Sequence, residues 1–126
     1  MRSATTSEII SPELWDRTVA QFDDVCQEQL YTFARARWPK VALEPVLFWR
    51  RGEVAGGCLV MIQKLPLGVA SIAVVKWGPM LAHASHPAKA DIYREMIDAL
   101  VADYADKRGM MLSVLPHAAF LPFNAQ

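Results

Sequence analysis

The fold turns on residues 43–77, LEPVLFWRRGEVAGGCLVMIQKLPLGVASIAVVKW. Three β-rich runs, about 44–50, 54–64 and 69–77, are separated by turn signals. Arg51-Gly52-Glu53 suits a tight hairpin, and Pro66-Leu67-Gly68 suits a second turn. Runs this close together, joined by such short turns, predict an antiparallel meander. Gly56-Gly57 inside the middle run predicts a bulge or a close backbone approach, because glycine weakens a strand unless something needs the space.

Helical spacing takes over on both sides of the meander. Ser11-Pro12 reads as an N-cap followed by proline at the first helical position. Leu14, Trp15, Val19 and Phe22 follow at helical intervals. Asp23-Asp24 can cap a second helix carrying Cys26, Leu30, Phe33 and Ala34 on one face. Trp38-Pro39 stops it, since a residue before proline is pushed out of the α region. Beyond the meander, Pro87 opens a long helix ending near Arg108. Its apolar stripe is Tyr93, Met96, Ile97, Leu100, Val101 and Tyr104. Lys107 and Arg108 lie in its last turn and Gly109 closes it. Residues 110–115, MMLSVL, read as a buried strand. Residues 1–10 read as a loose lead-in, 11–116 as the folded unit, and 117–126 as a tail that begins a missing continuation. The order is α-α-β-β-β-α-β, an α/β (α+β) chain with a mainly antiparallel sheet.

Bulk properties narrow the function classes. A chain of 126 residues supports one domain. With 53% hydrophobic and 21% charged residues it is globular. Thirteen basic and thirteen acidic residues cancel, which argues against bulk binding to nucleic acid or a membrane surface. No apolar run approaches the roughly 18 residues that span a bilayer. The first ten residues contain no apolar secretory core. Two cysteines, Cys26 and Cys58, do not make a disulfide framework, so reduced thiols in the cytoplasm are expected.

The residues that could carry chemistry are few. Lys76-Trp77-Gly78-Pro79 ends the third run shortly before a helix, where α/β proteins often place a phosphate. A phosphate loop needs several glycines with free N–H groups, and here one Gly precedes a Pro that has none. A sheet corner is the better reading. His83 and His86 have H-x-x-H spacing but precede a helix, with no third ligand nearby, so a metal is not expected. His117 lies at a strand end, and Cys58 has no base beside it. Asp98 and Asp103 read as the solvated face of the long helix. Arg35 and Arg37, with Lys40 behind them, cluster at a helix C-terminus. There they either complement the helix dipole or capture an anionic substrate group.

Three segments together resemble the FemAB-like aminoacyl- and peptidyltransferases, which build peptidoglycan cross-bridges on the GNAT acyltransferase fold. The first is LWDRTVAQFDDVCQEQLYTFARARW, residues 14–38, with its Y-x-x-A-R helix. The second is LFWRRGEVAGGCLVMIQKLPLGVASIAVVKWGPML, residues 47–81, with G-E-x-x-G-G and a closing K-x-G-P. The third is REMIDALVADYADKRGMMLSVLP, residues 94–116. Order and spacing carry the resemblance, which covers about residues 12–116.

The resemblance implies N-acyl transfer to an amine of a cell-wall precursor. The donor would be a charged tRNA or an acyl-CoA, acting as a substrate with no bound cofactor. It implies a cation near Arg35 or Arg37 touching acceptor phosphate, and it makes Lys76 and Trp77 the strand-to-helix corner. Arg35, Arg37, Lys76 and Trp77 are therefore the candidate substrate-binding residues. No catalytic residue is assigned. Full members of the family carry two GNAT-like units, whereas this chain holds less than one by strand count. It reads as an N-terminal portion, inactive alone, with any tRNA contact supplied by the missing part. An open sheet edge would favour a homodimer. Two alternatives stand beside this reading: an acyl-CoA-dependent GNAT acetyltransferase acting on an amino sugar or small amine, and a non-catalytic GNAT-like binding module.

Overall fold

A computed structural model describes residues 5–22, 29–66, 70–76, 78–83 and 85–115. The meander is present: β2 (Ala42–Arg50), β3 (Glu53–Lys64) and β4 (Ser71–Lys76) pair antiparallel in sequence. Arg51 and Gly52 both take positive φ, 55° and 81°, and so form a two-residue hairpin turn of the type that matches strand twist. A six-stranded sheet runs β1-β2-β3-β4-β6, with the short β5 (Met80–Leu81) also pairing with β3. The pairing of β4 with β6 (Met111–Leu115) is parallel, and the other pairings are antiparallel.

Both faces of the sheet are covered, which explains the unbroken apolar runs of the central strands. Along β3, Cys58, Val60 and Ile62 face α3 (Lys89–Leu100), while Leu59 faces α1 (Pro12–Val19) and α2 (Tyr31–Arg37). On the α3 side the core is built on Phe48, Val75, Met96, Leu100 and Tyr104. Trp15, Val19, Ala34, Leu47 and Met80 build the other side. The two glycines of β3 are required by these contacts. A Cβ on Gly57 would lie 2.7 Å from the Trp15 ring, and one on Gly56 would lie 2.1 Å from the Met80 carbonyl oxygen. The expected bulge is beside them: Phe48 faces Gly56 and Trp49 faces Val54, leaving Ala55 unmatched. Its carbonyl instead accepts the Ala82 N–H at 2.9 Å.

The helix signals are confirmed at some ends and corrected at others. Ser11 caps α1 by accepting the Leu14 N–H at 3.2 Å, with Pro12 at the first position. The second helix begins only at Tyr31, and the Asp23-Asp24 cap and Cys26 fall outside the described residues. Its cap comes from α1: the Asp16 carboxylate accepts the Tyr31 N–H at 2.7 Å, the Thr32 N–H at 3.2 Å and the Thr32 hydroxyl at 2.6 Å. The third helix starts at Lys89, two residues after Pro87, and continues past Leu100 as a π-helical turn, Val101–Asp106. Its buried line is Ile92, Met96, Leu100 and Tyr104. A spacing of four drifts around an α-helix of 3.6 residues per turn, and the wider π turn takes up that drift. Gly109 closes the helix at φ 68°.

Three further expectations are corrected. Residues 5–9, read as part of a loose lead-in, form β1 (Thr5–Ile9) against β2. This strand is polar up to its last residue, Ile9, and is held by side-chain bonds: the Thr5 hydroxyl donates to Glu95 at 2.7 Å, and the Ser7 hydroxyl donates to Asp103. Asp103 is thus a tether for β1 and not a solvated residue. The strand β6 is not buried. It lies at the sheet edge, where Leu112 and Val114 pack on the α3 core while Met111 is 62% exposed. Among the described residues no helix is long and apolar enough to cross a membrane.

Candidate functional site

Parallel strands in open sheets place ligands beyond their carboxyl ends. The parallel pair here ends at Lys76 and Leu115. Lys76 reaches back over the Trp38 ring, with its ammonium 4.5 Å from the ring centroid. Arg37 approaches the same ring, its guanidinium carbon 5.8 Å from the centroid. The stop signal Trp38-Pro39, which ends α2, therefore also sets an aromatic ring that two cations approach. Each contact is worth about 0.5–1 kcal/mol at an exposed site. The two charges share one ring, so an anion within reach of both would be attracted by each.

Arg35 is used differently. Its guanidinium donates to the Pro39 carbonyl at 2.7 Å, the Val41 carbonyl at 3.1 Å and the Tyr31 hydroxyl at 3.2 Å, and it stacks over the Tyr31 ring. These bonds tie the end of α2 to the start of β2. Of the four sequence candidates, then, the fold brings Arg37 and Lys76 together, commits Arg35 to backbone carbonyls, and leaves Trp77 outside the described residues. His117 is likewise outside them. The turn itself leads first into β5 and only later into α3, and the Tyr93 hydroxyl donates to the Gly78 carbonyl at 3.4 Å.

Gln29 is a residue that sequence reasoning missed. It is 1% exposed. β3 pairs with β4 from Val60 onward and with β5 at Gly56 and Gly57, which leaves Leu59 without a ladder partner on that edge. The Gln29 amide fills the gap. Its oxygen accepts the Leu59 N–H at 2.7 Å, and its nitrogen donates to the Lys76 carbonyl. Its own carbonyl accepts the Trp15 indole N–H at 2.6 Å. One side-chain amide thus replaces a peptide unit in the sheet and fixes the backbone from which Lys76 projects. A glutamine beside Glu28 and two residues from Gln27 carries no pattern that would have marked it.

The remaining candidates are quieter. Cys58 is fully buried, and burial pushes its thiol well above the ordinary range, so it is an inert core thiol. His83 and His86 flank the approach to α3. Among the described residues no group of three or more His, Cys, Asp or Glu could hold a metal.

No family model matches the chain, and no curated protein matches it. Solved structures do. FemX aligns over 74% of this chain and 22% of its own, with TM-score 0.56 and 16% identity. The ribosomal-protein-alanine N-acetyltransferase from Brucella melitensis biovar Abortus 2308 aligns over 94% of this chain and 83% of its own, with TM-score 0.56 and 18% identity. An acetyltransferase from Trypanosoma brucei aligns over 97% and 94%, with TM-score 0.52 and 14% identity. The chain thus has a partial GNAT fold, and it spans about a fifth of FemX.

Proposed function

We propose that the chain is an N-acyltransferase unit of the FemAB-like kind, whose acceptor is an amine on a phosphate-bearing cell-wall precursor. The observation that carries this reading is the convergence of Arg37 and Lys76 on Trp38 at the carboxyl end of the parallel strand pair. Likeness in fold to FemX supports it. In the reaction the amine nitrogen bonds to the acyl carbon, the donor's ester C–O bond breaks, and the departing oxygen takes up the proton the amine loses. The two cations contribute by holding the acceptor phosphate, leaving the amine positioned for attack. The donor is an aminoacyl-tRNA, engaged through parts of the family's fold beyond these strands.

A second reading is an acyl-CoA-dependent acetyltransferase, favoured by the extent of the likeness to the Brucella enzyme, which covers most of both chains. A thermal-shift titration separates the two. Stabilisation by a UDP-linked muropeptide, lost in a Lys76→Ala, Arg37→Ala double variant, supports the first. Stabilisation by acetyl-CoA alone supports the second. Indifference to both ligands leaves a non-catalytic binding module.

A further inference from the structure

A cavity lies away from the Trp38 cluster. It has a volume of about 580 Å³ and is enclosed by the β2–β3 hairpin, the segment before α3 and the first turn of α3. That size suits a small organic ligand. Arg50, Arg51, His83 and His86 line it, with Val54 and Ile92 as an apolar floor. In a chain whose charges cancel overall, four basic side chains from two segments some thirty residues apart meet in one cavity.

Their partners show which remain available. Arg50 is held by Glu95 at 3.0 Å through its Nε. His86 accepts the Ala88 N–H on Nδ1 at 2.9 Å, so its Nε2 carries the proton and is a donor. Among the described residues, neither the Arg51 guanidinium nor the His83 imidazole has a side-chain hydrogen bond or ion pair. Two acids also line the cavity. Asp91 is paired with Arg94 at 2.9 Å, which leaves Glu53. A second observation points the same way. Arg51 occupies a left-handed position, φ 55°, where Asn or Gly is the unstrained choice. A local rule broken beside a cavity is the pattern expected of a functional residue.

We infer that this cavity is a binding site for a small phosphate ester, with Arg51, His83 and His86 on the phosphate and Glu53 accepting a hydroxyl of the organic part. It is separate from the Arg37–Trp38–Lys76 cluster and does not depend on the acyl-transfer reading.

The test is proton NMR of the imidazole Cε1–H resonances, assigned with His83→Gln and His86→Gln. The protein is titrated with inorganic phosphate and with glycerol 3-phosphate at fixed pH and ionic strength. Saturable shifts of both resonances are expected, tighter for glycerol 3-phosphate. Arg51→Asn keeps the turn, since Asn adopts the left-handed conformation, and should weaken binding about fivefold. Lys76→Ala should leave it unchanged. The inference is overturned if the shifts do not saturate, if chloride reproduces them, if Arg51→Asn binds as the parent does, or if Lys76→Ala abolishes binding.

Discussion

Gln29→Leu tests the link between the core and the site. The substitution keeps the bulk of the side chain but removes the amide that joins β3 to β4. The Leu59 N–H and the Lys76 carbonyl then face an apolar side chain. A buried group left unsatisfied costs about 1–3 kcal/mol, so two cost about 2–6. The apolar replacement returns about 1–2 kcal/mol of transfer energy. The net loss is about 1–4 kcal/mol. With a urea slope of about 2 kcal/mol per molar, the unfolding midpoint should fall by roughly 0.5–2 M. Gln29→Glu sharpens the test. Ionised, it accepts from Leu59 but sets a carboxylate against the Lys76 carbonyl. Protonated, it can donate to that carbonyl. The variant's deficit relative to the parent should therefore shrink as pH falls. A Gln29→Leu midpoint within about 0.3 M of the parent would refute the bridging role, as would a Gln29→Glu deficit that does not change with pH.

The other outcomes follow from single contacts. Gly56→Ala should cost about 2–3 kcal/mol in urea unfolding, because the added methyl meets the Met80 carbonyl oxygen, a backbone atom that no rotamer change can move. Gly109→Ala, with open space around it but positive φ, should cost only about 1 kcal/mol. Arg35→Ala should lose about 1–3 kcal/mol of stability with its carbonyl bonds, whereas Arg37→Ala should stay within about 0.5 kcal/mol; equal losses would contradict the division of roles. Burial works against the Glu44 carboxylate, but the bonds from Arg108 and Tyr104 outweigh it and hold its pKa below the ordinary value of 4.5. The stability it gives is complete above that value and is lost as pH falls through the lower, folded-state value. The advantage of the parent over Glu44→Gln should therefore narrow below pH 4.5, and a constant gap down to about pH 2 would refute it.

Much of the fold was legible because its signals are local. The hairpin at Arg51-Gly52, the cap at Ser11-Pro12 and the stop at Gly109 each depend on backbone conformations that few residues favour. The meander announced itself by apolar runs bounded by turns. β1 was illegible for the opposite reason. Thr5-Thr6-Ser7-Glu8 offers no apolar alternation, and its anchoring comes from Glu95 and Asp103 about ninety residues away. β6 looked buried because five of the six residues of MMLSVL are apolar, yet edge position is a property of the sheet and not of the strand. The candidate site was legible in part. Sequence drew attention to Arg35, Arg37 and Lys76, but only three-dimensional contact separates the Arg that holds carbonyls from the one that shares a tryptophan with Lys76. Gln29 could not have been found, since its role depends on a gap between two ladders.

The measurement that bears most directly on the acyl-transfer account is calorimetric titration of a UDP-linked muropeptide into the parent protein and into the Arg37→Ala, Lys76→Ala double variant, at two salt concentrations. Saturable binding is predicted in the parent, weaker at higher salt, and reduced about tenfold or more in the folded double variant. Binding that the double variant retains in full would contradict the account, as would a folded parent that binds acetyl-CoA and ignores the precursor.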